Sequence, residues 1–195
     1  MFEISSISKH VFRHIVVVAL LAIAVSSIAG QSQVAVLPSD QRISFSDVRT
    51  TGGQDPHASG VEIELYKHAG AWAGFMSQWV GPVADPPVGK LDNLQVDESN
   101  GRMSFTAKLS LGVTIVKDTR STAPTRDLFE FAGTIDANAI SGTLSHKRAD
   151  APAGRTRQQP ISLERQSRDS GTPALSYAGW LKIWNDVMKV RGPKW

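Results

Sequence analysis

Residues 102–115 read RMSFTAKLSLGVTI, and this stretch decides the fold. Met103, Phe105, Ala107, Leu109, Leu111, Val113 and Ile115 alternate with Arg102, Ser104, Thr106, Lys108, Ser110, Gly112 and Thr114. A period of two places one set on a dry face and the other in water, which is the signature of a β-strand. Working outward, residues 128–135 repeat the pattern, with Phe129, Phe131, Gly133 and Ile135 on one side and Leu128, Glu130, Ala132 and Thr134 on the other. Ile140, Gly142 and Leu144, then Ile161 and Leu163, continue it downstream; Val61, Ile63 and Leu65 show it upstream. One wet face per strand implies antiparallel pairing, because buried parallel strands are apolar on both faces.

Turn chemistry falls between these runs. Ser99-Asn100-Gly101 carries the Asn-Gly step of a tight hairpin. His68-Ala69-Gly70 and Asp136-Ala137-Asn138 mark two more hairpins. Three prolines between Gly81 and Gly89 forbid a central strand there. The reading is eight strands near 43–49, 61–67, 71–80, 90–97, 102–116, 127–135, 139–147 and 159–165. Neighbour-to-neighbour connections between many short strands predict an all-β, antiparallel up-and-down barrel or sandwich, and the barrel is the expected form because it removes exposed edges. The loops 117–125 and 148–159 are polar and locally basic. After them the period changes: Tyr177, Trp180, Leu181, Trp184 and Met188 share one helical face, with Lys182, Asn185, Asp186 and Lys189 on the other. Thr172-Pro173 supplies a start and Gly192-Pro193 a stop, so a C-terminal amphipathic helix is expected over 172–191.

The first residues have a different character. Lys9, His10, Arg13 and His14 precede the apolar run IVVVALLAIAV at 15–25, and Ser27 and Ala29 occupy the −3 and −1 positions of a small-residue cleavage site. That is the layout of a secretory signal peptide over 1–29, with an apolar run shorter than the roughly 20 residues a membrane span requires. A flexible arm over 30–42, a β-barrel domain over 43–168 and the helix complete the organisation. The expected localisation is therefore secreted or periplasmic. The chain has 195 residues and a formal charge of +3; the leader carries Lys9, Arg13 and Glu3, so +2 remains on the rest. Such a balance offers no electrostatic case for nucleic acid. With no cysteine, disulfides, thiolate zinc sites and a cysteine nucleophile are excluded, and stability rests on core burial.

Gly70-Ala71-Trp72 opens a strand. With Arg165 near the last strand and a helix behind it, this resembles the lipocalins and their calycin relatives. In that family a G-x-W tryptophan crosses the barrel floor beneath a basic side chain. The stretch FEFAGTIDANAISGTL at 129–144 is also similar to small secreted bacterial β-domains. The inward apolar set with its glycines, in a lipocalin-like barrel, leads to the expectation of a non-catalytic binding protein holding a small apolar ligand. Its candidate ligand-binding residues are the inward-facing Trp72, Met76, Met103, Phe105, Phe129, Phe131 and Leu144. Three inward glycines, Gly74, Gly133 and Gly142, leave room for a ligand; the other reading of them is an interior filled by Trp72 and the phenylalanines. The alternative function is a cell-envelope interaction module acting through its loops or Trp-rich helix. Trp180, Trp184 and Trp195 with Lys182, Lys189, Arg191 and Lys194 suit a membrane surface; the favoured reading is a lid, because a barrel's outer wall offers the helix an apolar partner surface. No cofactor and no metal is expected, since His57, His68 and His146 show no ligand spacing. Glu62 and Glu64 share one strand face and read as solvated charges. No nucleophile or phosphate-loop signature occurs, so no catalytic residue is assigned.

Overall fold

A computed structural model describes residues 41–82, 85–116, 121–150, 156–167 and 176–195, and residues 34–195 belong to one compact unit. The expected leader and arm lie outside the described residues, apart from Gln41 and Arg42. Among the described residues there are eleven strands and one helix: β1 (Gln41–Ser46), β2 (Arg49–Thr50), β3 (His57–His68), β4 (Ala71–Pro82), β5 (Val88–Asp97), β6 (Arg102–Leu109), β7 (Val113–Ile115), β8 (Thr122–Pro124), β9 (Asp127–Ile135), β10 (Ala139–Arg148), β11 (Arg157–Arg165) and α1 (Tyr177–Arg191).

Eight of these strands close an antiparallel barrel in the order β1-β3-β4-β5-β6-β9-β10-β11, with β11 returning to β1. The expected fold class is what the chain adopts. One end, called lower here, carries the tight turns. Ala69 and Gly70 both take positive φ (49° and 81°), the twist that a two-residue hairpin needs. Asp97 accepts from the amides of Ser99 and Asn100 and from both their side chains, which holds its carboxyl at about 2. Asp136 likewise accepts from the amides of Asn138 and Ala139. The upper end carries the longer connections.

The apolar alternates converge on one core: Ile43, Phe45, Val61, Ile63, Leu65, Met76, Leu91, Met103, Phe105, Leu109, Phe129, Phe131, Ile135, Ile140, Leu144, Ile161 and Leu163 are all buried. The polar alternates Ser104, Thr106 and Glu130 face outward. This is the reverse of a membrane-spanning barrel, whose outward band is apolar. In β5 the face switches. Leu91 is inward at an odd position, and Leu94 and Val96 are inward at even ones. Asn93, with φ 53°, forms a bulge that shifts the register between Asp92 and Gln95.

The structure corrects three boundaries. The strand expected over 102–116 stops at Leu109. The amides of Leu111 and Gly112 are taken by the Asp127 carboxylate and the Thr125 hydroxyl, and the chain restarts as β7, paired with β8 in a separate two-stranded ribbon. Residues 122–124, expected in a loop, are the second strand of that ribbon. The helix begins at Tyr177, where the Ser176 hydroxyl accepts from the Gly179 amide as N-cap; Thr172 and Pro173 lie outside the described residues.

The seam between β11 and β1 is short, with only Phe45 opposite Arg165 and Ser46 opposite Glu164. The Arg165 amide donates toward β10, to Asn138, whereas the Gln166 amide donates the other way, to Ser44. Even-numbered residues of β11 therefore aim their N–H groups away from β10. Pro160 is one of them, so the donor it lacks is missing from the side that, among the described residues, no strand covers above Glu164.

Candidate functional site

The interior was the expected site, and six of its seven candidate residues do meet there. Met76, Met103, Phe105, Phe129, Phe131 and Leu144 are each no more than 3% exposed and belong to one cluster. Phe105 and Phe131 stack with centroids 5.2 Å apart. All three inward glycines are inward as expected, and each faces a neighbouring side chain. Gly133 and Gly142 sit opposite each other on β9 and β10. The ring of Phe131 covers both: a Cβ built on either glycine would stand 2.7–2.9 Å from it. A Cβ on Gly74 would meet Leu65 at 2.9 Å and Leu91 at 3.0 Å. The glycines thus make room for the barrel's own side chains. Clefts of about 860, 600 and 510 Å³ lie on the outer surface, the first along the β1–β11 seam and the others over β5, β6, β9 and β10.

The seventh candidate, Trp72, is at the lower end, partly buried against the same core. Its indole N–H donates to Glu98 (3.3 Å), and the Lys67 ammonium lies 5.5 Å above the ring while pairing with Glu98. The cation over this tryptophan is therefore Lys67, its direct cross-strand partner. Arg165 donates instead to the Ala137 carbonyl. Alternation could have found Lys67, because it shares parity with Ile63 and Leu65.

At the upper end, His146 and Asp127 both have inward parity. Their side chains meet at 2.8 Å, and the imidazole stacks on Phe129 at 4.6 Å. The other carboxylate oxygen accepts from the Leu111 amide and the Thr125 hydroxyl. Asp127 is 1% exposed, and these bonds fasten the base of the β7–β8 ribbon to the barrel mouth. Among the described residues no group of three or more His, Asp or Glu converges as a metal would require.

On the outer wall, α1 runs the height of the barrel. Tyr177 stacks on His68 near the lower end (4.4 Å), and Arg191 reaches Asp85 near the upper end. Past the helix, the Trp195 indole donates to the Leu109 carbonyl. Trp180 and Trp184 are buried against Tyr66, Ala73 and Phe75, so the helical tryptophans face the wall. Glu64, read from sequence as a solvated charge, is 3% exposed beneath the helix. It accepts from the Trp180 indole at 2.6 Å and pairs with Arg42. Glu62, its neighbour on that face, binds the Ser44 hydroxyl. The missing signal was the helix itself, which turns a wet strand face dry.

Burial pushes the Glu64 carboxyl above its ordinary range; Arg42 and the indole pull the other way and do not prevail. An acid whose folded pKa is raised binds its proton more tightly folded than unfolded. Its contribution is fullest below the unfolded value of 4.5 and is lost as pH rises through the folded one. Stability from this group therefore increases on acidification from neutral pH toward 4.5. Glu64→Gln keeps an acceptor for the indole and removes the titration. The difference in melting temperature between the variant and the parent is expected to shrink as pH falls over that window, measured by thermal melts at matched ionic strength.

The remaining distinctive surface is the upper rim. Val80, Val113 and Ile115 are 70–71% exposed, Val190 is 72% exposed and Val116 37%. All five stand at this end; Leu181 and Ile183 are exposed on the lower half of α1, and among the described residues no strand or turn at the lower end exposes a large apolar side chain. Sequence alternation marked Val113 and Ile115 as inward, but the break after Leu109 carries them out of the barrel.

No family model matches the chain, and no curated protein or solved structure matches it. The fold and surfaces define a closed eight-stranded antiparallel barrel with an apolar side-chain core and a helix docked along its wall.

Proposed function

We propose that the protein is a non-catalytic interaction module of the cell envelope, in which the barrel is a rigid scaffold and the contacts are made outside it. One observation carries this reading: Phe131 occupies the space above the paired glycines, and Leu65 and Leu91 occupy that above Gly74. A carrier for a small apolar ligand needs a vacant lumen. The signal-like residues 15–29 support action outside the cytoplasm.

Titration with a fluorescent fatty acid and with aromatic dyes tests the proposal. The native protein is expected to show no saturable uptake. Phe131→Ala, which removes the ring over Gly133 and Gly142, is expected to bind a benzene-sized ligand, as dry engineered cavities do. Phe131→Leu serves where the alanine variant is too unstable. Saturable, displaceable binding by the native protein would overturn the scaffold reading in favour of the lipocalin-like carrier that Gly70-Ala71-Trp72 suggests.

A further inference from the structure

We propose that the upper rim is a docking surface for an anionic lipid bilayer, entered by the β7–β8 ribbon. This rests on the scaffold reading above and names the partner and the face that meets it. Apart from Leu181 and Ile183 on α1, the exposed large apolar side chains of the described residues are gathered at one end, and Val113 and Ile115 share one face of a two-stranded ribbon separate from the barrel sheet. Single exposed valines are ordinary on a protein surface; five exposed apolar residues crowning one end of a barrel, with none on the described strands and turns of the other, are not.

Charge selects the occupant. Arg49, Arg126 and Arg157 are exposed at the same end, and among the described residues no ion pair engages them. The carboxylates there are largely taken: Asp127 by His146, Asp150 by Arg148 and Asp85 by Arg191, with Asp55 left exposed. Apolar tips surrounded by unpaired arginines match acyl chains beneath anionic headgroups. A protein groove that accepted the same tips would gain nothing from the arginines unless it were acidic. Trp195 is on the same side, its ring partly exposed and its N–H fixed to Leu109, as suits an aromatic at a bilayer interface. Among the described residues no helix is long and apolar enough to cross a membrane. The contact proposed for the rim is peripheral, made by side chains that enter the headgroup layer.

The test uses residues 34–195, a compact unit free of the apolar run at 15–25. Flotation is measured with phosphatidylcholine vesicles, with and without phosphatidylglycerol. The protein is expected to float with the anionic vesicles, less so as salt is raised. Ile115→Asp and the pair Arg126→Glu with Arg157→Glu are each expected to weaken binding by about tenfold or more. Ile183→Asp, on the helix away from the rim, is expected to leave it unchanged. Melting curves identify any variant that has lost its fold, and Val113→Ser replaces such a variant. Absence of flotation, or binding indifferent to both rim variants, would overturn the proposal. So would a dimer in sedimentation that Ile115→Asp dissociates without vesicle binding, which would make a second copy the occupant. None of these results bears on the lumen, which ligand uptake decides separately.

Discussion

Truncation of Trp180 to alanine is expected to lower unfolding free energy by about 3–5 kcal/mol, the range for removing a buried aromatic. Trp180 is 1% exposed, lies 5.2 Å from the Tyr66 ring and meets Trp184 edge-on at 4.8 Å. Its N–H is also the donor that, with Arg42, compensates the buried Glu64 carboxylate. The truncation therefore opens a cavity and strips a buried charge of a partner. Trp180→Phe retains ring packing and loses only the donor, so its expected cost is about 1–3 kcal/mol. Adding Glu64→Gln to the phenylalanine variant should recover part of that loss, because a neutral amide is cheaper to leave without its indole. Urea unfolding followed by far-ultraviolet circular dichroism gives all three numbers. An alanine cost below about 1 kcal/mol would mean that α1 contributes little to holding the barrel wall dry.

Gly142→Val is expected to abolish the folded barrel. A Cβ at this position would stand 2.5 Å from the Ala132 carbonyl oxygen, 2.7 Å from the Gly133 Cα and 2.9 Å from the Phe131 ring. Two of those three atoms are backbone of the neighbouring strand, which a rotamer change cannot move. Gly112→Ala is the matched control, since nothing lies within 4 Å of its added methyl. The near-ultraviolet dichroism of folded tryptophans should be lost in the first variant and retained in the second. A folded Gly142→Val protein would show that β9 and β10 can separate without losing the core.

Much of this architecture was legible because it depends on a local rule. The two-residue period of Met103, Phe105, Phe129 and Phe131 needs only the pleat of a strand, and the Ala69-Gly70 turn needs only its dihedral angles. What was not legible depends on partners distant in sequence. Glu64 looks solvated until Trp180, 116 residues later, is placed over it. The alternation of Leu111, Val113 and Ile115 continues that of β6, yet Asp127 and Thr125 take the amides that would have continued the ladder. Arg165 was the expected cation over Trp72, and only the β3–β4 register, which places Lys67 opposite the ring, assigns that position to Lys67. Whether Gly133 and Gly142 leave a void was undecidable from alternation, because a glycine pair reads the same with or without a ring above it.

The proline on β11 has a bearing on how the molecule behaves in company. An uncovered strand is a template on which another chain can add itself, rung by rung, and repetition of that step leads to fibrils. With the Pro160 donor missing from its open side, an incoming segment would find a gap in the middle of the run. The protein has no cysteine to lock its barrel shut, so brief parting at the two-residue seam would lengthen the edge that the described strands already leave uncovered above Glu164. A missing rung on that edge makes addition of a second chain less well bonded than closure of the barrel on itself.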